Sequence, residues 1–121
     1  MQAHVARVES VDEVKAMIAV LLQDSKIRRA AHNMMAYRFH DPLKGVWYQD
    51  CDDDGESAAG SRMLHLLQIA DVQGVCVVVS RWFGGTLLGP SRFTLINNSA
   101  RQLLVQEGYV RDPGIRKGKK R

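Results

Sequence analysis

The chain has 121 residues, 45% of them hydrophobic and 25% charged, with a formal net charge of +4. That length and apolar content fit one domain that buries its own core without disulfides or a structural metal, and no run reaches the ~18–20 apolar residues of a membrane-spanning helix. The charge is uneven: Arg111, Arg116, Lys117, Lys119, Lys120 and Arg121 stand against Asp112, a net of +5 that leaves residues 1–110 at −1.

The start, Met1 to Val5, lacks the basic-then-apolar layout of a secretory signal, so the cytoplasm is the expected compartment and no membrane contact is expected. Cys51 and Cys76 are too few for a disulfide framework and read as reduced thiols. His4, His32, His40 and His65 have no partners at zinc-ligand spacing.

His4 to Val8 alternates like an edge strand. Ser10-Val11-Asp12-Glu13 fits a capping box, and Val14, Met17, Ile18, Leu21 and Leu22 follow at helical spacing. After the polar stretch Asp24 to Arg29, Asn33 to Phe39 reads as a strand. Asp41-Pro42-Leu43-Lys44-Gly45 supplies a turn, and Val46 to Gln49 completes a hairpin. Asp50 to Gly60 is an acidic loop of small residues leading into a second helix, Ser61 to Ala70, and Gly74 ends the connection. Val75 to Val79 is a continuous, β-branched run of the kind found in a strand that is central or covered on both faces. A glycine-rich turn, Arg81 to Gly89, precedes Pro90 at a first helical position. The third helix carries Phe93, Ile96, Ala100, Leu103 and Leu104 on one side and stops at Gly108. A last short strand at Tyr109-Val110 is conceivable, and residues 113–121 read as a disordered basic tail beyond a domain of residues 1–112.

Two constellations stand out. Asp50-x-Asp52-x-Asp54-Gly55 matches the first half of a calcium loop, but the position needing a bidentate carboxylate is Ser61, so no metal is expected. The plain reading of Asp52, Asp53 and Asp54 is a solvated loop at a helix start, where each carboxylate gains ~0.3–1 kcal/mol from the macrodipole. Glu56-Ser57-Ala58-Ala59-Gly60 adds small residues that let another backbone come close. The second constellation joins Arg81, Gly84, Gly85, Gly89 and Arg92, a turn able to cradle an anion although it is neither a dinucleotide fingerprint nor a Walker loop. Glycines for a tight turn, with Trp82 and Phe83 capping the core, explain it equally well. His32 reads as a turn histidine and His65 as a partly buried packing residue. No serine or cysteine nucleophile is placed with either, so neither catalysis nor a cofactor is expected.

Three segments, Ala31-His32-Asn33-Met34-Met35-Ala36-Tyr37-Arg38, Asp53 to Gly60, and Val77 to Pro90, together resemble the signatures of the IMPACT family in order and spacing. The resemblance covers roughly residues 4–110, and Ser91 to Arg101 is similar to the eukaryotic branch. The family often has threonine at positions 57 and 31, glycine at 61 and aspartate at 91, where this chain has Ser57, Ala31, Ser61 and Ser91. The resemblance implies an α/β two-layer sandwich like the second domain of small-subunit ribosomal protein five, expected as a mixed sheet with helices on one face. It further implies a cytoplasmic regulator of translation under amino-acid starvation. Such a regulator competes with the starvation-activated initiation-factor kinase for a ribosome-associated activator, and the family is also linked to actin. Eukaryotic members normally carry an amino-terminal RWD domain as a main contact to that activator; these 121 residues hold none, which is expected of a fragment or of a minimal form.

The expected partner-binding surface therefore comprises Asp53, Asp54, Gly55 and Glu56 from the acidic loop with Arg81, Trp82, Gly84, Gly85 and Arg92 from the glycine turn. Both loops precede helices whose starts share one edge if they pack on one sheet face. Arg81, Gly84, Gly85 and Arg92 are also the expected anion contacts. The alternative is RNA or ribosome binding through Arg81, Arg92 and the basic tail, because phosphate contacts from Lys and Arg dominate nonspecific affinity.

Overall fold

A computed structural model describes residues 1–82 and 91–111. The elements are β1 (Gln2–Arg7), α1 (Val11–Leu21), α2 (Ser25–Arg28), β2 (His32–Asp41), β3 (Val46–Asp52), α3 (Ala59–Ile69), β4 (Val75–Arg81) and α4 (Ser91–Gln106). The capping box forms: Glu13 N–H donates to Ser10 Oγ at 3.1 Å and Glu9 N–H to Glu13 Oε1 at 2.6 Å. The polar stretch Asp24 to Arg29 contains one further turn, α2, capped by Asp24. Ile27 is its one apolar residue, too little for a periodicity to reveal it.

The sheet order is β1-β4-β2-β3. Every pairing is antiparallel, which corrects the expectation of a mixed sheet. The physical reason lies in β4, which α3 returns into the slot between β1 and β2, running opposite to both. That central place explains why all seven residues of β4 are buried. Val75, Val77 and Val79 point to one face and pack with Met34, Ala36, Met63, Leu67, Ile96, Ala100 and Leu104 beneath α3 and α4. Cys76 and Val78 point to the other, with Val8, Val14 and Phe39 under α1. The helices thus cover both faces, not one, because β4 is apolar on both sides and each side needs a cover. Burial pushes the Cys76 thiol up to about 12.

The α1 cover is the lighter of the two. Val14 is the only fully buried residue of that helix, whereas α3 and α4 together bury seven. At the far end, Gly108 takes φ +85° and closes α4, as its place in the sequence predicts. The N–H groups of Tyr109 and Val110 then turn back to Leu104 O at 2.8 and 3.2 Å, so the suggested last strand does not form there. His65 lies on the outward side of α3 and is exposed, contrary to the packing role expected of it.

Candidate functional site: the rim around the acidic loop

The strand directions bring the start of β2, the loop after β3, the end of β4 and the start of α4 to one rim of the sheet. Residues 53–58, which link β3 to α3, make a tight loop held from within. Asp53 accepts from Ala58 N–H (3.1 Å, Oδ2) and from Gly60 N–H (2.7 Å, Oδ1). Its carboxylate thereby satisfies free amides at the α3 N-terminus, where negative charge is also favoured. The helix needs this because the residue before it, Ala58, is left-handed at φ +67° and offers no side-chain cap. Gly60 has to be glycine: a Cβ there would lie 2.7 Å from the Asp52 carbonyl oxygen and 2.9 Å from Asp53 Oδ1.

The next two residues turn the chain, with Asp54 at φ +47° and Gly55 at φ +87°. Asp54 Oδ2 accepts the Asn33 N–H at 2.7 Å, which ties the loop to the first turn of β2. His32 Nδ1 lies 2.7 Å from the Asp54 carbonyl oxygen. A carbonyl can only accept, so Nδ1 carries the proton. His32 is thus a bonded turn histidine, as its sequence context suggests, and its ring fills the space in which a side chain at Gly55 would sit, 3.3 Å from an added Cβ.

Glu56 and Arg81 are both buried, each with 9% of its side chain exposed, and form a direct ion pair. Arg92 Nε approaches the other Glu56 oxygen at 3.4 Å. One carboxylate therefore joins the acidic loop, the end of β4 and the first turn of α4. Around it, Ala31 N–H donates to Arg81 O at 2.9 Å and Trp82 Nε1 donates to Lys26 O at 3.0 Å. The Lys26 ammonium sits 5.3 Å from the Trp82 ring centroid, a cation over an aromatic face.

The structure thus brings Asp53, Asp54, Gly55 and Glu56 beside Arg81, Trp82 and Arg92. They divide by exposure: Glu56 and Arg81 are buried, Asp53, Trp82 and Arg92 are half-buried, and Asp54 and Gly55 are exposed. Gly84 and Gly85 lie outside the described residues, as do Gly89, Phe83 and the basic tail. Sequence reasoning missed Lys26 and Asn33 as supports. Asn33 carried a signal, since it stands in the same signature segment as His32; Lys26 acts through its backbone carbonyl, which no side-chain pattern reveals. The negative field of the loop reaches Cys51, whose thiol is raised by burial and then by Asp53, Asp50 and Asp52.

Residues 1–104 match the Impact N-terminal domain. The chain belongs to the IMPACT family. It is 55% identical over 109 residues to Protein IMPACT-B of Xenopus tropicalis, covering 90% of this chain and 34% of that protein. Against Protein IMPACT of Homo sapiens it is 51% identical over 112 residues, covering 93% and 35% respectively. The chain therefore spans about a third of the length of these IMPACT relatives. Among solved structures it is similar to the two-domain translational regulator Yih1, with a TM-score of 0.62, 51% identity and coverage of 88% of this chain and 42% of that one. A hypothetical protein shares the fold at 24% identity and a TM-score of 0.69, covering 86% of this chain and 50% of that one. The α/β fold, with helices packed on an antiparallel sheet, is that of the IMPACT family, and a member of the family regulates translation.

Proposed function

We propose that this chain is the protein-interaction module of a translational regulator. It restrains the starvation-activated initiation-factor kinase by competing for the kinase's ribosome-associated activator. It acts in the cytoplasm, by binding and not by catalysis, and actin is a further partner in keeping with the family resemblance. The observation that carries the reading is the convergence of the acidic loop, the end of β4 and the first turn of α4 on one rim, locked by the buried Glu56–Arg81 pair. A locked rim presents Asp54, Gly55, Trp82 and Arg92 in one arrangement, and preorganisation lowers the entropy lost on docking. A buried ion pair is a poor source of net stability but a good way to hold the loop in register with the strand end.

The test is capture of the activator by the purified chain. Asp54→Lys combined with Arg92→Glu reverses two charges at the rim and should reduce capture strongly while circular dichroism stays native. Capture unchanged in the folded double variant refutes the rim. The basic tail favours a second reading, binding to RNA or the ribosome, which predicts salt-sensitive gel shifts abolished by removing residues 111–121. Salt-insensitive or absent binding by the full chain eliminates it.

A further inference from the structure

A second surface lies on the opposite side of the sheet from α3 and α4, adjoining the docking rim proposed above and sharing Asp54 with it. Between α1 and the strands runs a groove of about 310 Å³. Its walls are Ile18, Leu21 and Leu22 at the end of α1, with Ile27 of α2. Its floor is Met35 and Val78. Met35, Ile18 and Leu21 are only partly buried and Leu22 is 38% exposed, so the apolar lining meets solvent. Asp52 and Asp54 stand at the mouth.

The carboxylates set the chemistry of the occupant. Asp50 and Asp52 lie opposite Tyr37 and Met35 in the β2–β3 register, on the sheet face that α1 covers. Asp54, in the turn after the strand, lines the same groove. Each uses one oxygen locally: Asp50 for Cys51 N–H, Asp52 for Asp54 N–H and Asp54 for Asn33 N–H. Among the described residues, none of the three forms an ion pair. A cation on a small molecule meets only one of them, whereas alternate residues along a strand are roughly 6.5–7 Å apart, the repeat of alternate side chains in an extended peptide. The same acidic line repels phosphate backbones and anionic lipid.

We infer that the α1 groove and the Asp50–Asp52–Asp54 line together form a docking surface for an extended basic segment of a partner protein. One aliphatic side chain of that segment enters between Leu22 and Met35. Its arginines or lysines, placed at every second residue, follow the carboxylates along the edge of β3. The apolar anchor fixes the position and the paired charges fix the register.

An acetylated, amidated heptapeptide, Leu-Thr-Arg-Thr-Arg-Thr-Arg, is the probe, titrated into the ¹⁵N-labelled full chain at low salt. Amide shifts should concentrate at Ile18, Leu22, Met35, Cys51 and Asp52. Asp50→Asn with Asp52→Asn should weaken binding about fivefold, the effect of two exposed ion pairs. Leu22→Ser, and separately a peptide with glycine in place of leucine, should each weaken it while leaving the salt dependence intact. Shifts located elsewhere, or equal affinity for these variants, overturn the inference. So does tighter peptide binding by a chain ending at Arg111, which would make the chain's own basic segment the occupant. Binding to phosphatidylserine vesicles that is lost in Leu22→Ser would replace the protein partner with a membrane. Loss of capture by the Asp54→Lys, Arg92→Glu variant leaves this inference standing if Leu22→Ser still weakens the peptide in the wild-type background.

Discussion

Two neighbouring stretches of the same acidic segment use their charge in opposite ways. Asp53 and Glu56 turn inward, one bonded to two amides at the start of α3 and the other held by Arg81 and Arg92. Asp50 and Asp52 lie on β3, an edge strand, and are exposed. Composition does not separate them; backbone does. Once the chain leaves the strand through left-handed residues at Asp54, Gly55 and Ala58, its carboxylates reach helix amides and a buried guanidinium. On the strand itself they form no ion pair among the described residues.

The comparison breaks most sharply at Glu56. Glu56→Ala removes the carboxylate that pairs with the buried Arg81 guanidinium and should cost about 3 kcal/mol, the usual penalty for removing one partner of a buried pair, read as a lowered midpoint in urea unfolding. Gly60→Ala forces a methyl against the Asp52 carbonyl and should cost about 2 kcal/mol through overpacking, read by the same measurement. Asp53→Ala removes the two hydrogen bonds that replace a side-chain cap on α3 and should cost about 1 kcal/mol, with faster amide exchange at Ala58 and Gly60. At the other end of the segment, Asp50→Asn should change stability by less than about 0.5 kcal/mol, as expected of an exposed side chain without a charged partner. A large loss there would place that carboxylate in a structural role and dissolve the contrast.

Much of this was legible in the sequence. The capping box at Ser10 and Glu13, the hairpin around Gly45, the apolar run of β4 and the stop at Gly108 all follow from local chemistry that tertiary packing reinforces. Sheet direction was not legible, because the slot that β4 occupies depends on long-range pairing with β1 and β2 and not on its own residues. The same run was equally compatible with a central strand covered by helices on one side, the arrangement expected, and periodicity alone could not assign α1 to the second face. At the rim, the sequence placed acidic and arginine-bearing loops together through their helix starts. It could not tell that Glu56 would be interior and Asp54 exposed, since that choice is made by the left-handed turn between them.

The most direct test is a double-mutant cycle on the pair that locks the rim, Glu56→Gln, Arg81→Met and both together, followed by urea unfolding. A structural lock predicts that the single changes are far from additive, with a coupling of about 2 kcal/mol. Additive single effects, with coupling near zero, would show that the acidic loop and the end of β4 are held by something other than this ion pair and would contradict the account.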